Sequence, residues 1–146
     1  MKKVLFLSCL MPMVLFAGCN NLQTEKEVFG YLRLEGMQAN GNLQMLFDEL
    51  LYISGNDTET LLKYGFSPED VTNDYELYNE KEEWLSVELM PNATFSIIIY
   101  VDDMYPAPTE VNFATFKQYM LNRSEILAKI KMSGKKAHSV YEVYVP

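Results

Sequence analysis

From Val28 onward the apolar positions of this chain fall into two rhythms, one of strands and one of helices. Val28–Leu34 is rich in β-branched and aromatic residues, with Val28, Leu32 and Leu34 on one face. This predicts a strand, closed by a loop holding Gly36, Asn40 and Gly41. At Leu43 the spacing changes. Leu43, Leu46, Phe47, Leu50 and Leu51 stand at i, i+3, i+4, i+7 and i+8, the stripe of an amphipathic helix. Gly55 ends that stripe, and Asn56 with Glu59 forms a capping-box pattern for a second, short helix that stops at Gly65. Ser67-Pro68-Glu69-Asp70 opens one more turn.

The second half reads as an antiparallel set followed by a long helix. Tyr75–Tyr78, Trp84–Leu89 and Thr94–Val101 are strand-like, joined through Asn79–Glu82 and Met90–Ala93. Residues 102–108 form a loop. Phe113, Phe116, Met120, Leu127 and Ile130 recur at three- and four-residue steps, which predicts a helix over Asn112–Met132 with Arg123 as the one break in register. Gly134 terminates it and Val140–Val145 supplies a closing strand. The order β-α(α)-β-β-α-β is that of the split βαβ arrangement. The expected fold is therefore α+β, a two-layer ferredoxin-like sandwich of an antiparallel sheet and two main helices.

The N-terminus has a different character. Lys2 and Lys3 precede a 13-residue apolar run, Val4–Phe16, and then come Ala17, Gly18 and Cys19. Such a run is shorter than the roughly 20 residues a helix needs to cross a bilayer, and it suits a signal-peptide core. Phe16-Ala17-Gly18-Cys19 resembles the lipobox of bacterial lipoprotein precursors, with Phe16 standing where leucine is usual. The resemblance implies removal of residues 1–18, acylation of Cys19 and attachment to a membrane of the bacterial cell envelope. Asn20, rather than aspartate after the cysteine, implies the outer membrane in families that sort by that position. The division is then signal peptide 1–18, lipidated tether 19–27 and one domain over 28–146.

Cleavage changes the charge and redox picture. The remaining 128 residues carry ten basic and twenty acidic side chains, a net charge of −10. That balance argues against a nucleic-acid partner, which needs a basic face. It argues equally against electrostatic docking on anionic lipid, leaving the acyl chains to hold the membrane. Cys9 and Cys19 are the only cysteines, so the domain past Cys19 has no thiol for a disulfide, a nucleophile or a zinc site. Charge is also segregated. Residues 48–110 hold fifteen acids against Lys63 and Lys81, whereas residues 117–136 hold Lys117, Arg123, Lys129, Lys131, Lys135 and Lys136 against Glu125. An acidic body of this kind steers a basic protein partner.

Catalytic chemistry is scarce. His138 is the only histidine, Ser139 beside it would point to the opposite face of a strand, and no Gly-x-Ser-x-Gly elbow occurs. Asp74–Glu80 places oxygens at alternate positions but lacks the central glycine of a calcium loop. Ser133-Gly134-Lys135-Lys136 lacks the upstream glycine of a phosphate loop and reads as a helix C-terminus. No catalytic set, cofactor or metal site is expected. The candidate interaction residues are Asp102, Asp103, Met104 and Tyr105, on a loop stiffened by Pro106 and Pro108. The function expected is that of a non-catalytic envelope lipoprotein, an inhibitor or immunity-type factor for a basic partner. The alternatives are a small carboxylate- or metal-dependent hydrolase using Asp102, Asp103 and a glutamate such as Glu82 or Glu83, and a structural component of an envelope assembly.

Overall fold

The computed structural model describes residues 24–100 and 106–144. Among these, strand accounts for 55% and helix for 13%, which rules out a two-helix ferredoxin-like sandwich. The elements are β1 (Lys26–Met37), β2 (Leu43–Ser54), α1 (Thr58–Lys63), β3 (Tyr75–Tyr78), β4 (Trp84–Ile99), β5 (Ala107–Val111), α2 (Phe113–Leu121), β6 (Ile126–Ser133) and β7 (Lys136–Glu142).

Two stretches expected as helices are strands, and the reason is physical. In β2, Leu43, Met45 and Phe47 point inward at alternate positions and are fully buried. Leu46 and Leu50 lie on the opposite face, which is also largely covered. Two apolar period-2 sets overlaid on one strand imitate a helical stripe. In β6, Ala128, Ile130 and Met132 face the core while Lys129 and Lys131 face out. The expected Asn112–Met132 helix is thus α2 plus β6, and the break at Arg123 falls in the turn between them.

Smaller differences have local causes. β4 runs unbroken through Met90–Ala93, with its pairing to β7 shifting between Leu89 and Thr94 around Pro91, which has no N–H to give. The cap of α1 is Asp57 rather than Asn56, its carboxylate accepting from Thr60 N at 3.1 Å. The predicted stop at Gly65 is present: Gly65 has φ +84°, and Phe66 N–H reaches back to the Leu61 carbonyl at 2.9 Å, closing a Schellman turn. Ser133–Lys136 joins two strands through Gly134 at φ +59°, so it is a hairpin turn and not a helix end.

The strands close on themselves. β1 pairs with β2 and with β6, β6 with β7, β7 with β4, and β4 with β2 over Leu43↔Leu89 to Asp48↔Trp84. The ring β1-β2-β4-β7-β6 is antiparallel except for the parallel β4–β7 pair. This is the connectivity of the five-stranded OB-type Greek-key barrel, with α2 between the third and fourth barrel strands. Leu32, Phe47, Leu89, Phe95, Ile130 and Val140 fill the interior. α2, capped by Asn112 accepting from Thr115 N at 2.9 Å, contributes Phe116 and Met120 to the same cluster, Phe116 stacking on Phe95 at 4.6 Å. β3 and β5 are additions outside the ring, β3 on the far half of β2 and β5 on the far half of β4.

Gly30 is where β1 and β2 press together. A Cβ there would overlap the Asp48 carbonyl oxygen and stand 2.7 Å from the tip of the Phe47 ring. Backbone cannot yield as a flexible side chain does, so Gly30→Ala is expected to cost about 3 kcal/mol, at the upper end for overpacking. Urea denaturation followed by circular dichroism measures it. Gly36→Ala, at a site with nothing within 4 Å, serves as the neutral control.

Candidate functional site

Beyond the ring, β2 continues from Leu50 to Ser54 with β3 along its edge and α1 packed against it. Alternation places Leu51 and Ile53 on the side that continues the barrel interior, and Leu50 and Tyr52 on the other. The Asn79–Glu83 connection crosses from β3 to β4 over this extension. Together they enclose an open groove of about 910 Å³.

The groove is built around Asp48. This residue is 2% exposed, and both carboxylate oxygens are engaged: Oδ1 accepts from Glu83 N at 2.8 Å and Oδ2 from Asn79 Nδ2 at 2.7 Å. A buried carboxylate persists when donors replace water. Here the donors belong to the crossing loop, so Asp48 fixes one wall. Asn79 Oδ1 in turn accepts from Lys81 N at 3.1 Å. The opposite wall is aromatic. Tyr64, just after α1, lies 4.7 Å from Tyr78 on β3, and Phe66 meets Tyr78 edge-on at 5.9 Å. Leu51 and Leu85, both partly exposed, add apolar surface to the lining. Glu49, Glu80 and Glu83 stand on the exposed rim with Lys81 among them. Lys81 Nζ is 3.1 Å from Glu83, and Lys26 Nζ is 3.0 Å from Glu49.

The residues singled out from sequence scatter. Glu83 reaches the groove through its backbone N–H, whereas Glu82 accepts from Trp84 Nε1 at 2.8 Å, beneath an Arg33 guanidinium 4.0 Å above the indole. Asp102, Asp103, Met104 and Tyr105 lie outside the described residues, as do Cys19 and the segment before it. Within Asp74–Glu80, Tyr75–Tyr78 is strand β3 rather than a cation-binding loop, and among the described residues no group of three or more His, Cys, Asp or Glu is placed to hold a metal. His138 is the unpaired residue where β7 slips against β6, and it is exposed. No described helix is long and apolar enough to cross a membrane.

A buried centre that the sequence reading missed ties α2 to the barrel. Glu142, 6% exposed, accepts from Ile98 N at 2.6 Å and from the Tyr119 hydroxyl at 2.9 Å to each oxygen. Its side chain thereby satisfies an N–H on β4 past the last β4–β7 pair. The signal in the sequence was its inward register, two residues after Val140. Burial and the neighbouring Glu142 carboxylate together push the Tyr119 phenol well above its ordinary range. On the outer side of β2, Tyr52 stacks on Tyr75 at 5.1 Å and meets Phe29 at 5.6 Å. The Tyr75 hydroxyl is buried without a hydrogen-bond partner, and burial raises its pKa too.

Comparison with protein-family models, curated proteins and solved structures returns no match.

A phenol whose folded pKa is raised stabilises the fold below the unfolded value, near 10, and withdraws that stability as pH climbs through the folded value. The unfolding free energy should therefore decline progressively above about pH 10. In Tyr119→Phe the decline shrinks to the part carried by the other tyrosines. At neutral pH the same variant should lose about 1–3 kcal/mol, because Glu142 stays buried with a donor missing. Denaturant melts at pH 7 and pH 11 measure both effects.

Proposed function

We propose that this chain is a lipid-anchored, non-catalytic binding protein of the bacterial envelope, and that a basic protein partner docks in the groove between β2, β3 and the Asn79–Glu83 connection. One observation carries the reading. Glu49, Glu80 and Glu83 rim a lining of Leu51, Tyr64, Tyr78 and Leu85, so that acidic charge and apolar contact area coincide in a single concavity. Carboxylates on an exposed rim speed and orient encounter with a cation, while tyrosine and leucine surface supplies the area that holds it. The net charge of −10 on the chain from Cys19 onward extends the same attraction over the whole domain.

The non-catalytic part of the reading rests on the supply of reactive groups. Beyond Cys19 there is no thiol, and the sole histidine lies on a strand bulge. Carboxylate hydrolysis needs one acid sheltered from water opposite an ionised one. The groove's glutamates are instead exposed, two of them beside lysines, and buried Asp48 has both oxygens occupied. Anchoring follows from Cys19 and the lipobox resemblance, and outer-membrane placement from Asn20.

The test is affinity recovery from envelope extract with the lipidated protein as bait. A partner of high isoelectric point should be enriched at about 0.1 M salt and released near 1 M, as the screening length falls from about 10 Å to about 3 Å. Glu80→Lys with Glu83→Lys should lower its recovery at least about tenfold, a change of about 1.4 kcal/mol or more. Equal recovery by wild type and variant, or enrichment of no basic protein at either salt, contradicts the reading.

A further inference from the structure

We infer that the outer face of β6 and β7, with the Gly134–Lys135 turn between them, lies against anionic phospholipid headgroups of the membrane that holds Cys19. The inference rests on the lipid-anchor reading and adds to it which way the tethered domain faces. Three independent features of the chain converge on this face.

The first is where the tether arrives. Seven residues of chain lead from Cys19 to Lys26, where β1 begins. At about 3.3–3.6 Å per residue they reach no more than about 25 Å, so the barrel is held against the bilayer rather than displayed far from it. Lys26 is paired with Met132, the residue before Ser133↔Lys136. The β6–β7 turn therefore shares a rim of the barrel with the point of attachment.

The second is charge. Inward Ala128, Ile130 and Met132 force Lys129 and Lys131 outward, and the turn adds Lys135 and Lys136. Four ammonium groups thus gather at this side. Facing them are Glu27, at 3.4 Å from Lys129 and 3.9 Å from Lys131, and Glu88 on β4 opposite Lys136, its Oε1 bonded to the Asn42 amide. The face is net positive on a domain whose total is −10. An anionic bilayer attracts this side and repels the remainder, which turns the domain like a dipole. Each lysine near such a surface contributes about 1 kcal/mol. With the acyl chains already holding the protein, that energy has only to set orientation.

The third is the aromatic fringe. Tyr141 on β7 and Tyr52 on β2 are 45% and 49% exposed, and both line a hollow of about 350 Å³ beside Lys129. Tyrosines of this kind sit at headgroup depth, ring in the apolar boundary and hydroxyl in water.

The experiment reconstitutes the full lipidated protein into vesicles of phosphatidylcholine alone, or of phosphatidylcholine and phosphatidylglycerol in equal parts. Lysines are then labelled with an amine-reactive reagent and mapped by mass spectrometry. Lys129, Lys131, Lys135 and Lys136 should label several-fold less in the anionic vesicles, with Lys63 and Lys81 unchanged, and about 1 M salt should erase the difference. Lys129→Glu with Lys131→Glu should abolish the protection of Lys135 and Lys136. Uniform labelling in both vesicles overturns the orientation. Flotation with phosphatidylcholine alone reports the anchor separately: protein that floats and labels uniformly is anchored without this face, and protein that fails to float overturns both.

Discussion

Where β2 meets β4, six residue pairs from Leu43↔Leu89 to Asp48↔Trp84 convert an open sheet into a closed ring. The contact joins segments some forty residues apart in the chain, and most of the molecule follows from it. Closure gives the inward positions of five strands one shared interior, and α2 adds Phe116 and Met120 to that same core. It pairs the ring portions of β2 and β4, which would otherwise be left as sheet edges open to other chains. It also determines where the groove lies. β2 is longer than the stretch β4 covers, so past Asp48 its free edge takes up β3 and its inner face leaves the barrel. Asp48 sits at that parting and holds the loop that passes from one partner strand to the other.

A domain without disulfides depends on such packing for its stability. Each wholly buried Leu, Phe or Met contributes roughly 1.5–3 kcal/mol of transfer free energy, set against the entropy of ordering the chain. The two buried carboxylates do different work. Asp48 and Glu142 each replace water with defined donors, and each joins elements that the backbone ladder leaves unconnected, a crossing loop in one case and α2 in the other. Truncating such a group leaves its partners unpaired, which is why their positions bind the fold more tightly than their number suggests.

Parts of this arrangement were legible in the residues. Val28, Leu32 and Leu34, the β3 run Tyr75–Tyr78 and both halves of β4 read correctly as strands, and Gly65 marked a true helix end. β2 and β6 did not, because part of each strand is covered on both sides. Leu46 and Leu50 opposite Met45 and Phe47, or Leu127 opposite Ala128, produce three- and four-residue spacings with no helix behind them. Those two errors alone turned a barrel into a sandwich. Ring closure has no local signature, since it is a pairing between distant segments. For the groove, the crowding of acids over residues 48–110 was visible, but which of them share a concavity depends on closure. The lysines of residues 117–136 were visible as a run and mistaken for a helix end. On strand β6 the alternation separates Lys129 and Lys131 from the core and makes a face of them. Net charge concealed that face, because a sum over the chain says nothing of how the fold sorts it.

The acidic groove and the basic face both take their positions from ring closure, and both placements fail if the ring is open. Residue-resolved amide hydrogen exchange is the most direct check. The ladder amides of 43–48 and 84–89 should be among the slowest, exchanging together with those of β6 and β7 at the free energy of global unfolding. Fast exchange along 43–48 and 84–89, while β1, β6 and β7 remain protected, would mean that β2 and β4 are not paired and that the barrel does not exist.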